Sequence, residues 1–178
     1  MVFVGIDVGL ERSPMAIIRK DCIRIFQDYS DCTNLDDIRA VGIDAPLSFP
    51  EKGYFRECER KLLKMGIKLF PSGSPFFQKT VERGIKIAEK FKQWGIRVFE
   101  VYPFATRVIL GIAPDCNKRK KECLERIKKD LAGYISGEVR NHDEVDALLS
   151  ALTVKLFYDG MGEIISGRDG SILIPKKI

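Results

Sequence analysis

Two short apolar runs that each stop at an aspartate constrain this chain more than any other feature: Val2-Phe3-Val4-Gly5-Ile6-Asp7 and Val41-Gly42-Ile43-Asp44. A strand buried on both faces does not normally carry a carboxylate unless that group is paired, hydrogen-bonded or holding a metal. Desolvating an isolated charge costs several kcal/mol or more. A third acidic segment, His142-Asp143-Glu144-Val145-Asp146, opens an apolar run that reads as the start of a helix. Asp7, Asp44, Asp143 and Asp146 thus stand at element ends, and a cluster of acids at such points suggests a cation.

The 178 residues suit a single α/β domain over 1–178 with a sizeable core. Residues 2–8, 13–20 and 22–27 read as three strands of an antiparallel meander. The polar stretch Ser30 to Asp37 suits the cap of a short helix ending near Arg39, before a fourth strand, Ala40 to Ile43. That strand follows a crossover, so it is expected to run parallel to the first. An amphipathic helix from Phe55 to Met65, a breaker-rich loop from Phe70 to Phe77 and a basic helix from Gln78 to Trp94 come next. A fifth strand, Arg97 to Tyr102, has Pro103 as its stop signal; helices over 118–135 and 141–158 and a terminal hairpin complete the chain. The order predicts an α/β fold: a mixed five-stranded sheet, its first three strands antiparallel, with helices on both faces.

Composition narrows the class. No apolar stretch reaches the ~20 residues of a membrane span, and the short apolar start lacks the basic leader of a signal peptide. A soluble, cytoplasmic protein with no membrane partner is expected. Five cysteines without a C-x-x-C pair indicate neither a disulfide framework nor a zinc site. The formal net charge is +5, with basic residues clustered at 86–92 and 118–121. Such clusters suit a polyanion and equally suit solvated helix faces.

Carboxylates gathered at strand ends can hold two divalent ions about 4 Å apart, the arrangement that promotes phosphodiester hydrolysis. Asp7 would be the bridging ligand, with Gly5 and Gly9 allowing close approach, and Asp44 would complete the pocket from the adjoining strand. Asp143 and Asp146 are three apart and share one helix face. Against this, Asn141 and Glu144 resemble a capping box, and acids are generally favoured in a first helical turn. Glu100, inside the apolar strand Val98-Phe99-Glu100-Val101-Tyr102, is a fifth candidate. It would contact a metal, orient a water or pair with an arginine such as Arg107. His142, the one histidine, would protonate a leaving group, orient Asp143 or have no catalytic role.

The four acids, with Glu100-Val101-Tyr102-Pro103, Arg107-Val108 and Gly111, resemble the layout of the ribonuclease H-like nucleases, particularly the Holliday junction resolvase branch. More closely, Gly42-Ile43-Asp44-Ala45-Pro46, Arg56-x-Cys58-Glu59-Arg60, Phe70-Pro71 and Phe99-Glu100-Val101-Tyr102-Pro103 resemble the domain-of-unknown-function 429 family. The resemblance covers almost the whole chain. It implies a ribonuclease H-like fold and Mg2+- or Mn2+-dependent cleavage of nucleic acid, with Asp7, Asp44, Asp143 and Asp146 as metal ligands. The region from about 47 to 95 departs from the resolvase pattern as a long helical insertion. In it Arg56 and Arg60, four apart on one helix, and Ser72 and Ser74 of the following loop are the candidates for substrate contacts. The aromatic rings of that loop would take an unpaired base. In the alternative, the arginines pair with acids such as Glu57 or Glu59 and the rings fill a core. Two other classes stay open: a catalytically idle nucleic-acid-binding or scaffold protein, and an ATP-using protein suggested by Gly5-Ile6-Asp7-Val8-Gly9. DNA or RNA, and monomer or homodimer, are likewise open.

Overall fold

The computed structural model describes residues 1–177 apart from 21, 33–35, 118–119 and 136. Strands β1 (Val2–Asp7), β2 (Met15–Arg19), β3 (Cys22–Phe26), β4 (Ile38–Asp44) and β5 (Arg97–Glu100) form one sheet in the order β3-β2-β1-β4-β5. β1, β2 and β3 pair antiparallel, while β4 lies parallel to both β1 and β5. This is the expected five-stranded mixed sheet. Between Asp28 and Arg39 the described residues hold one short 3-10 turn, Tyr29–Asp31. The rest of the helix expected there falls partly on 33–35, outside the described residues.

Period-two alternation assigns the two faces of the sheet. Val2, Val4 and Ile6, with Val41 and Ile43, pack against Ile87, Ala88 and Phe91 of α2 (Gln78–Gln93). On the other face Phe3, Ala16, Ile18 and Ala40 meet Leu148, Leu149 and Leu152 of α5 (His142–Tyr158), with Ile127 and Leu131 of α4 (Lys121–Leu131) behind. Helices therefore cover both faces. Within 47–95, α2 covers the sheet, whereas α1 (Glu57–Lys64) joins a separate apolar cluster with the terminal hairpin of β6 (Gly162–Gly167) and β7 (Gly170–Pro175). The hairpin touches the sheet edge through a bridge between Val101 and Leu173.

The structure adds one helix to those read from the sequence, α3 (Pro103–Leu110). Pro103 does stop β5, but it also occupies the first helical turn, where a missing N–H costs nothing. Gly111 ends α3 in the left-handed conformation, φ 69°. The helix expected from 118 begins at Lys121 among the described residues.

Candidate metal centre

β1 and β4 end together. Their register sets Gly5 beside Gly42 and Asp7 beside Asp44, and the alternation turns all four toward the face that α5 covers. The glycines let that helix sit almost on the backbone. A Cβ on Gly5 would lie 2.1 Å from the Ala147 carbonyl oxygen, and one on Gly42 would lie 2.7 Å from that of Ser150. Gly5 therefore admits a helix rather than a substrate. Asp146 stands one turn before Ser150 on α5, whose hydroxyl donates to the Asp146 carbonyl at 2.8 Å. That turn lies over the strand ends. Ligand oxygens of Asp7, Asp44 and Asp146 accordingly lie within 4.8 Å of one another.

Asp143 is outside this group. One turn nearer the helix start, its carboxylate is 51% exposed and meets His142 Nε2 at 3.0 Å. Half of the expected capping box forms: the Glu144 N–H donates to Asn141 Oδ1 at 2.9 Å, while the Glu144 carboxylate turns to the Arg140 N–H instead of that of Asn141. Glu144 itself is buried and accepts from the Arg140 N–H and Gln27 Nε2.

Glu100 takes a different environment for a physical reason. It lies beside Ile43 in register, one step from Asp44, so it faces the α2 side. There it pairs with Arg56 rather than with Arg107. Arg56 Nη1 donates to Glu100 Oε2 at 2.7 Å and Nη2 to Oε1 at 2.5 Å. The remaining Arg56 donors go to Glu59 Oε1 at 3.3 and 3.0 Å and to Ser48 Oγ at 3.0 Å. All five guanidinium N–H groups are thereby used, and the side chain is fully buried. Burial works against the charge on Arg56, but its bonds to Glu100 and the Glu100 charge prevail, and its pKa rises. Glu100 also accepts the Leu47 N–H at 2.8 Å, tying down the segment that follows Asp44. Arg107 instead donates to the carbonyls of Ile112, Ala113 and Cys116.

This burial withdraws Arg56 from any phosphate. Arg60 is exposed and donates to the Phe55 carbonyl. The Ser72 hydroxyl is buried without a hydrogen-bond partner among the described residues, and the Ser74 carbonyl accepts from the Phe77 N–H at 2.9 Å. Sequence reasoning did not single out Tyr102, whose hydroxyl donates to the Lys68 carbonyl at 2.8 Å. Burial, then the nearby Asp44 charge, pushes its phenol well above the ordinary range. Tyr102 and Asp44 line two adjoining cavities. One, about 320 Å³, also includes Asp7, Arg56 and Glu100, and the other, about 350 Å³, includes Asp146, Arg107 and Asn117.

The donor set tests what this centre would hold. Three carboxylates with no thiolate or imidazole suit a hard cation that keeps some of its water, such as Mg2+ or Mn2+. Two strand ends and a packed helix supply the three carboxylates.

The family model described as protein of unknown function (DUF429) matches residues 5–169. No curated protein matches the chain. Among solved structures, T. thermophilus RuvC in complex with Holliday junction substrate is similar over 90% of this chain and 96% of its own, with TM-score 0.53 and 13% identity. A second Thermus thermophilus RuvC structure covers 90% and 97%, with TM-score 0.46 and 14% identity. The first likeness shows the fold, which is ribonuclease H-like as expected.

Proposed function

The chain belongs to the DUF429 family, proteins of unknown function, and from that premise we propose that it is a divalent-metal-dependent nuclease hydrolysing phosphodiester bonds of nucleic acid. The convergence of Asp7, Asp44 and Asp146 carries the reading. Its support from the fold is that the similar RuvC structure holds a Holliday junction substrate.

In this reading Asp7, Asp44 and Asp146 hold Mg2+ or Mn2+, and Asp143 lies a helical turn away on the approach. When bound, such ions supply Lewis-acid polarisation of a phosphoryl oxygen and activation of water, in the two-metal form about 4 Å apart. The chain contributes position. Asp7 and Asp44 are fixed by the β1–β4 ladder, and Asp146 by the seat of α5 on Gly5 and Gly42. Glu100 holds the Leu47 N–H and so steadies the segment leaving Asp44, which makes it a positioning residue. Arg60, exposed, is the remaining arginine of the original pair for a flanking phosphate.

The test is a panel of labelled DNA and RNA structures incubated with manganese or magnesium, beside Asp7→Asn. Cleavage by the wild type is expected, abolished by chelator and reduced more than about a hundredfold by Asp7→Asn, since even an outer-shell change commonly costs 10- to 100-fold. A panel left intact, or equal cleavage by Asp7→Asn, would overturn the proposal.

A further inference from the structure

We propose that the 320 Å³ cavity beside Asp7 and Asp44 receives an unpaired nucleobase, so that the substrate is a single-stranded, looped or flapped strand rather than a continuous duplex. The inference rests on the phosphodiester reading and names the substrate class for the same site.

The first observation is charge. Asp7, Asp44, Glu59 and Glu100 line the cavity, and Arg56 is the one cationic side chain among the described residues lining it. Every Arg56 N–H is already engaged, so it offers nothing to an anion. Glu59 and Glu100 already share Arg56. Away from the acids proposed to hold the metal, the described lining therefore offers no unengaged cationic side chain to a phosphate, and that part of the cavity suits an uncharged group.

The second observation is the wall. Val8, Pro46, Leu69, Phe70 and Phe77 give the cavity an apolar side opposite its acids, and Thr80 lines it from α2. Phe70 is 76% exposed and its ring centroid lies 6.0 Å from that of Phe77. Aromatic surface left open to water next to an acidic centre suits a flat ligand with apolar faces and a polar edge. The volume falls at the low end of small-ligand pockets, about 300–1,000 Å³.

The third observation is continuity. Asp7 and Asp44 belong both to the cavity and to the acidic cluster, so a nucleotide with its phosphate at the acids has its base beside this opening. A base in a duplex has its faces stacked and its edge paired. It must leave the helix to enter, which favours strands that are already unpaired.

A single-stranded oligonucleotide carrying one 5-iodouracil is mixed with the full chain in manganese and irradiated, and cleavage is followed in the same sample. The crosslink is expected on Phe70, Phe77 or Tyr102, with the single strand bound tighter than its blunt duplex. Phe70→Ala removes an exposed ring, and Thr80→Phe fills the cavity from α2. Each is expected to weaken single-strand binding about tenfold while leaving duplex binding unchanged. Crosslinks elsewhere, equal affinity for single strand and duplex, no binding at all, or wild-type affinity in both folded variants would overturn the inference. Crosslinking in the cavity without cleavage of any strand would instead defeat the hydrolytic reading and leave the cavity assignment standing. Cleavage without that crosslink would do the reverse.

Discussion

Two sets of carboxylates stand close together at the end of the sheet, and they differ in where their positive charge comes from. Glu59 and Glu100 are buried around Arg56, whose donors they share with Ser48. For Asp7, Asp44 and Asp146, which converge across two strand ends and a helix, we propose a divalent ion. The contrast teaches that an acid in an apolar strand does not reveal its role by itself. Glu100 and Asp44 are one register step apart on neighbouring strands, and that step sends one to an internal arginine and the other to the candidate metal centre.

The sharpest way to break this contrast is to remove the charge from each set. Arg56→Ala leaves Glu59 and Glu100 buried without their cation and is expected to cost about 3–5 kcal/mol in urea unfolding. Asp7→Asn is expected to stay closer to the wild type when metal-free and to lose the stabilisation that manganese brings, about 2.7 kcal/mol at a hundredfold excess over Kd. If Arg56→Ala proves as stable as Asp7→Asn with chelator present, the internal network is not the stabilising partner described here.

A smaller effect is expected where β1 and β4 meet α5. Gly5→Ala puts a methyl group against the Ala147 carbonyl, and α5 must shift to make room. Overpacking of this kind costs about 1–3 kcal/mol. Because α5 carries Asp146, the same substitution should also shrink the manganese-induced rise in melting temperature. A stability loss with full manganese response would show that the seat of α5 does not set the site.

Much of the site could be read before the structure because strand periodicity is a local signal. Asp7 and Asp44 each end an apolar run, and Asp146 lies deeper in its helix than capping explains. Asp143 carried the same spacing signal but sits at the open start of α5, where His142 is its neighbour. The pairing of Glu100 with Arg56 spans 44 residues and depends on sheet register, which no local pattern reveals. α3 escaped notice because one proline can both end a strand and begin a helix.

The smallest expected effect concerns what holds the Arg56 segment in place. Asp169, at the turn between β6 and β7, accepts the Glu57 N–H at 2.8 Å and the Glu51 N–H at 3.3 Å, while its carbonyl accepts from Ser48 Oγ at 2.6 Å. Partial burial raises the Asp169 carboxyl, but the Glu57 and Glu51 N–H groups outweigh it and the net pKa is lowered. The unfolded chain then binds the proton more readily than the folded one. Stability from this carboxylate is therefore complete above the ordinary aspartate pKa and is lost as pH falls through the lower folded value. Asp169→Asn should be less stable than wild type near neutrality, with the gap closing as pH falls below the ordinary aspartate pKa of about 3.9. Amide protection at Glu57 and Glu51, taken relative to the intrinsic exchange rate at each pH, should fall over the same window in the wild type. A gap that stays constant with pH would detach the hairpin turn from the strap that carries Ser48 and Arg56.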